Sequence, residues 1–397
     1  MKLAARVGRI APSPTLAMAA TAKAMAAQGI DVIDFSSGEP DFDTPEPVKT
    51  AAEAAIRSGF TKYTPSSGID ELRAAIADKL LAEQGLRYEK AQILVSCGAK
   101  HSLYNLAEAL LEAGDELIIP VPYWVSYSDQ AFLNDATPVL MPTREEEGYT
   151  IRAEELERCI TPRTKAIILN SPCNPTGATY DRATLERIAT IAVRRDILII
   201  SDEIYEKVLY DGARHVSIAS LGRDVAARTV VINGVSKAYA MTGWRIGYAA
   251  GPKELLTAMA NIQSQSTSNP CSISQKAAVA ALRLGESFTE KMVAEFDQRR
   301  HVMVQRLNAI PGVRCSMPTG AFYAFPNVRG LLGRHGPGGS IKTPTELASY
   351  LLHDAKVAVV PGEPFGSPYH LRMSYATGMD AIRRGMDRLE AAFAKLT

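Results

Sequence analysis

The feature that most constrains this chain is an alternation between residues 93 and 250. Short apolar runs at 93–95, 116–119, 166–169, 198–200 and 230–232 are separated by segments with helical periodicity. Short, mostly apolar runs of three or four residues suit strands buried on both faces, and helical segments between them supply the crossovers. The pattern predicts a mostly parallel α/β sheet covered by helices on both sides, with any ligand held at the carboxyl ends of the strands.

The residues that follow these runs are unusual. After the run at 230–232, residues 233–248 read N-G-V-S-K-A-Y-A-M-T-G-W-R-I-G-Y and place Lys237 in a loop of small residues just past a strand. Desolvation there disfavours an ammonium and makes the amine a nucleophile toward carbonyls; a lysine that snorkels to solvent is the ordinary alternative. Residues 171–177, S-P-C-N-P-T-G, form a rigid turn that holds Asn174 outward at a strand end. Residues 201–205, S-D-E-I-Y, put Asp202 at the end of a buried strand, where a carboxylate needs a positive partner. Residues 95–103, V-S-C-G-A-K-H-S-L, run from a strand into a helix whose free N–H groups suit an anion, yet Lys100 lies in that helix's first turn, where the dipole disfavours a cation. A bound anion resolves the conflict.

In this order the pieces resemble the fold-type I aminotransferases that use pyridoxal 5′-phosphate (PLP), in particular the prokaryotic aspartate aminotransferase subgroup of class I, which includes aspartate/prephenate aminotransferases. The resemblance spans nearly the whole chain. It includes 36–42 (S-S-G-E-P-D-F), 62–68 (K-Y-T-P-S-S-G), 122–127 (P-Y-W-V-S-Y), 318–323 (P-T-G-A-F-Y), 359–362 (V-V-P-G) and 372–376 (R-M-S-Y-A).

The resemblance implies a large domain with a mostly parallel seven-stranded sheet and a smaller α+β domain. The expected division is 1–44 as N-terminal arm and part of the small domain, 45–285 as the PLP-binding domain, and 286–397 as the small C-terminal domain. It further implies Lys237 as the lysine that joins the cofactor aldehyde and then moves a proton, Asp202 as partner of the pyridine nitrogen, and Tyr205 and Asn174 at the ring oxygen. Gly98, Ala99, Ser236 and Arg245 bind the phosphate, with Tyr63 arriving from a second subunit of a homodimer. Trp124 stacks on the ring, Arg372 holds the substrate α-carboxylate, and Gly38 lets that carboxylate approach the backbone. Lys100 reads the side-chain carboxylate, and Thr15 accompanies it in relatives that accept prephenate. One departure is Gly234, a serine in some relatives, which removes one phosphate hydrogen bond. The implied reaction is transamination between L-aspartate and 2-oxoglutarate, giving oxaloacetate and L-glutamate, with prephenate to arogenate as a further activity.

Other classes fit less well. Other amino-acid aminotransferases and elimination or C–S lyases of the same fold keep Lys237 and Asp202, but a lyase has less use for Lys100. A transcriptional regulator would need a DNA-binding domain ahead of the arm. The formal net charge of +1 provides no field for nucleic acid or a membrane surface, and no apolar run approaches a membrane span. Five cysteines at 97, 159, 173, 271 and 315 have no C-x-x-C spacing, so neither a metal site nor a disulfide framework is expected, and a reducing cytoplasmic setting follows. Lys2, Arg6 and Arg9 precede an alanine-rich helix at 15–28 without a long apolar segment, so no removed leader is expected. A long helical stretch after Pro252 and a flexible glycine-rich connection at 335–340 complete the reading.

Overall fold

The structure, a computed structural model, describes every residue except Lys2, Ala11, Ser13 and Gly338, and every side chain of those described except Pro14, Thr15 and Leu16. A short strand β1 (Ile33–Asp34) follows the N-terminal helix Pro14–Ala27. The alternating region then supplies β2 (Ile93–Ser96), β3 (Glu116–Val121), β4 (Thr137–Pro142), β5 (Thr164–Asn170), β6 (Leu198–Asp202), β7 (Thr229–Gly234) and β8 (Gly247–Ala250). These form one seven-stranded sheet in the order β2-β8-β7-β6-β5-β3-β4. All neighbours are parallel except β8, which runs antiparallel to both β2 and β7.

Five of the strands coincide with the apolar runs. The sixth, β4, lies at the sheet edge and is largely exposed, and its apolar run at 139–141 is flanked by two prolines, which an edge strand tolerates. The seventh, β8, is G-Y-A-A, buried throughout but built mostly of small residues.

Both faces of the sheet are covered. Along β5, Ile167 and Leu169 pack into one apolar core while Ile168 packs into another, the period-two signature of a strand buried on both sides. Each such side chain contributes up to about 1.5–3 kcal/mol. The register sets Asn170 of β5 opposite Asp202 of β6, and Asp202 opposite Ile232 of β7. The polar residues that end these strands are thereby gathered at one edge of an apolar slab.

A separate core lies C-terminal to the sheet, built around Phe296, Met303, Leu307, Phe322 and Leu371. Its strands are β9 (Tyr323–Ala324), β10 (His335–Gly336), β11 (Gly339–Ser340), β12 (Val357–Ala358), β13 (Val360–Pro361) and β14 (Leu371–Ser374). The order β13-β14-β9 is antiparallel, and β1 pairs in parallel with β12, which ties the N-terminal segment to this core.

Two local expectations change. The stretch after Pro252 is three helices, Lys253–Ser266, Ser272–Leu282 and Ser287–Ala309, because Pro270 and Gly285 interrupt the helical run. Residues 335–340 are not a free connection: β10 pairs with β11, and His335 exchanges backbone hydrogen bonds with Thr397 at 2.8 and 3.1 Å. No helix is long and apolar enough to cross a membrane among the described residues, and all five cysteines are free thiols.

Candidate active site

A cavity of about 460 Å³ opens where the carboxyl ends of β5, β6 and β7 meet the C-terminal core. Its lining includes Gly38, Ala99, Lys100, Trp124, Asn174, Asp202, Tyr205, Ser236, Lys237, Arg245 and Arg372, so eleven of the fourteen expected site residues converge there. Gly98 adjoins it as the residue before Ala99. Tyr63 does not line the cavity; it stands 92% exposed on the outside of the chain. The side chain of Thr15 lies outside the described residues.

Lys237 follows β7 directly, and its side chain ends inside the cavity. Its amine donates to the carbonyl of Gly38 and lies 5.8 Å from the Tyr205 ring and 5.7 Å from the Phe322 ring. Its surface is partly open because the side chain faces the cavity, while the surrounding protein removes much of its water. Desolvation therefore dominates and, with Arg372 and Arg245, outweighs Glu39 and Asp202 to lower its pKa to about 8. No carboxylate reaches it within 4 Å among the described residues.

Asp202 is buried at the end of β6. Its Oδ2 accepts from the Tyr127 hydroxyl at 2.7 Å and its Oδ1 from the Ile204 N–H at 3.2 Å. Burial is the largest influence and carries its pKa up to about 6, against the opposing hydrogen bonds. A tyrosine holds it in place, and no cation lies within 4 Å of it among the described residues.

Arg372, on β14, is fully buried. Its Nη1 donates to Asn174 Oδ1 at 3.1 Å and its Nη2 to the Ser36 carbonyl at 2.7 Å, while its Nε has no partner. The guanidinium lies 4.5 Å from the Tyr323 ring and makes no ion pair within 4 Å among the described residues. A buried guanidinium with only neutral partners is costly unless an anion joins it. Residues 36–38 thus supply two carbonyls, one anchoring Arg372 and the other Lys237.

The loop between β2 and the helix Ala99–Leu110 forms a tight cradle. Gly98 has φ +91°, and a Cβ on it would stand 2.2 Å from Arg245 Nη2. Arg245 is held over the loop by bonds from Nη1 to the Thr242 carbonyl at 2.8 Å and from Nη2 to the Cys97 carbonyl at 3.4 Å. First-turn N–H groups, a guanidinium and the buried Ser236 together suit a dianion such as a phosphate ester. Gly234 cannot take up a side chain in place, since a Cβ there would meet the Ile246 carbonyl at 2.8 Å. Lys100 sits with its ammonium 4.9 Å from the Trp124 ring, its pKa lowered by burial and by Arg245.

Tyr127 and Tyr323 were not assigned roles from sequence. Tyr127 holds Asp202, and the Tyr323 hydroxyl bonds that of Tyr205 at 2.7 Å while its ring faces Arg372. Both fall inside the motifs P-Y-W-V-S-Y and P-T-G-A-F-Y, so the signal was present without anything to say which atom each would meet.

The family model for aminotransferase class I and II matches residues 30–389. An aspartate aminotransferase of Geobacillus stearothermophilus is 49% identical over 389 residues, covering 98% of each chain. An aspartate/prephenate aminotransferase of Nitrosomonas europaea is 46% identical, covering 98% of this chain and 99% of its own. The crystal structure of the aspartate aminotransferase from Rhizobium meliloti superposes with a TM-score of 0.96 at 47% identity over the full length of both chains.

Proposed function

The chain belongs to the aminotransferase class I and II family, and from that premise we propose the roles of its cavity residues in an aspartate aminotransferase. The enzyme transfers the amino group of L-aspartate to 2-oxoglutarate, releasing oxaloacetate and L-glutamate. The observation that carries the assignment of roles is the buried triangle of Lys237, Asp202 and Arg372. Among the described residues, two cations without carboxylate partners and an anion without a touching cation line one cavity.

Pyridoxal 5′-phosphate fits these residues. The Gly98 cradle with Ser236 and Arg245 suits its phosphate, Asp202 its ring nitrogen, Tyr205 and Asn174 its ring oxygen, and Trp124 its face. When bound, it supplies an electrophilic aldehyde and a ring that delocalises negative charge from the substrate Cα. Asp202, fixed by Tyr127, would hold a proton on the ring nitrogen. Lys237 would hold the aldehyde, and its amine is the base placed to move the substrate Cα proton. Its depressed pKa keeps a useful fraction of the amine neutral near neutral pH. Arg372 binds the α-carboxylate in its planar fork, and Lys100 takes the distal carboxylate.

The 92% exposure of Tyr63 supports a site completed across a homodimer, where this residue would meet the partner's phosphate. The separate C-terminal core, apart from the cores flanking the sheet, supports the division of the chain into 45–285 and 286–397, and the pairing of β1 with β12 supports 1–44 as arm and part of the small domain. Prephenate as an additional acceptor is supported by the name of the Nitrosomonas relative.

The test is purified protein with PLP, aspartate and 2-oxoglutarate. Oxaloacetate is expected; pyruvate and ammonia instead would assign a lyase and overturn the proposal.

A further inference from the structure

The cavity wall carries one more cation than this reading employs. Five basic side chains line it, namely Lys23, Lys100, Lys237, Arg245 and Arg372, against three acidic ones, Asp34, Glu39 and Asp202. Arg245, Lys237, Arg372 and Lys100 each have a part above. Asp34 is occupied by Ser36, whose N–H and hydroxyl donate to it at 2.7 and 2.5 Å, and Glu39 accepts from the Thr242 hydroxyl at 2.8 Å. Lys23 makes no ion pair within 4 Å among the described residues.

Its placement follows from the helix it rides on. The helix Pro14–Ala27 is rich in alanine, and Lys23 is its only charged residue. Met18, Ala22 and Met25, at i, i+4 and i+7, pack toward Leu352 and Ala358 of the C-terminal core. The adjoining stripe, Ala19 and Lys23, lies over the cavity. Lys100 enters the same cavity from the sheet side, at the first turn of the helix Ala99–Leu110. The single charge of this helix thus reaches the cavity from the N-terminal segment, while Lys100 reaches it from the sheet side.

We propose that Lys23 is a specificity-determining residue that joins Lys100 in binding the distal carboxylate of the dicarboxylic substrate. This rests on the transaminase reading above and extends it to the N-terminal helix. A lysine suits the task because its flexible stem lets the ammonium follow a carboxylate whose position shifts between substrates of different length.

The experiment uses the holoenzyme and the variants Lys23→Met, Lys23→Arg and Lys100→Met. It measures kcat/KM for aspartate, glutamate and alanine, and the Kd of succinate, a dicarboxylate without an amino group, by calorimetry. Position 23 is exposed and helical, so Lys23→Met should fold. The preference of Lys23→Met for aspartate and glutamate over alanine is expected to fall about five- to tenfold, expressed in KM, with a matching rise in the succinate Kd and recovery in Lys23→Arg. A Lys23→Met enzyme with wild-type preference and wild-type succinate affinity, beside a Lys100→Met enzyme that has lost both, overturns the role of Lys23 alone. A wild-type enzyme that does not prefer aspartate or glutamate over alanine overturns the aspartate reading and this one with it.

Discussion

Two desolvated lysines sit close to the same sheet and have opposite fates. Lys79, in the helix Asp70–Gln84, is buried beside Glu206 and Glu83, and its ammonium pairs with both. Burial alone would discharge it, but Glu206 and Glu83 outweigh that and hold its pKa well above the ordinary value. Lys237 is desolvated too, though half-buried at the cavity; among the described residues its amine has only the Gly38 carbonyl as a direct partner, and its pKa falls to about 8. Desolvation is common to both, so the partners decide. A buried amine given carboxylates is a strut; one denied them is a nucleophile.

The strut belongs to a wider network. Beyond Glu206 lies Glu203, whose Oε1 accepts from the hydroxyls of Ser201 at 2.8 Å and Ser217 at 2.6 Å. His215 Nε2 stands 2.9 Å from Glu203 Oε2, and burial is outweighed by Glu203 so that its pKa is raised. Glu203 follows Asp202 directly in sequence, yet its charge is fully provided for while that of Asp202 is left for a ligand. One position along the chain separates a structural carboxylate from a functional one.

The largest effect that would break this comparison is on turnover. Lys237→Ala is expected to lower kcat by at least about 10⁴-fold while leaving the urea midpoint of the apoprotein unchanged or raised, because an unpaired amine has been removed. Appreciable transamination in that variant would remove Lys237 from the chemistry.

Lys79→Ala should do the reverse. Leaving Glu206 buried without its cation should cost about 3–5 kcal/mol in urea unfolding, while kcat of the folded fraction stays within about twofold. Pairing Lys79→Met with Glu206→Gln should cost clearly less than the sum of the single changes, since the double variant leaves no lone charge. Additive losses would show that the ion pair is not what stabilises this region.

The smallest effect is a pH dependence of the apoprotein. Between about pH 8, the folded pKa of Lys237, and the ordinary lysine value near 10.5, the unfolded chain binds more protons than the folded one. Stability contributed by this group therefore rises with pH across that window. Asp202 acts oppositely between about 3.8 and about 6: the folded state holds the extra proton, and stability from this group is lost as pH rises. Melting temperatures of wild type and Lys237→Met between pH 7.5 and 10.5 should show a rise attributable to Lys237 in the wild type only. Parallel curves would indicate that its amine titrates normally.

Much of the site was legible because it is written at strand ends. Asn174, Asp202 and Lys237 each follow an apolar run, and a parallel sheet gathers such positions at one edge. Lys100 was legible as a conflict between its charge and the helix dipole. Tyr127 and Lys79 were not. Tyr127 lies in a motif that says nothing of its partner, and Lys79 has the pattern of any solvated helix lysine until Glu206, 127 residues away, is brought against it.

The sequence by itself determined five of the sheet's seven strands and the edge at which chemistry is placed, because periodicity and turn residues act over a few neighbours along the chain. Tertiary structure decided which charges are compensated. Compensation depends on distances between groups far apart in sequence and on exclusion of water, and neither exists until the cores have closed around Lys237 and Lys79.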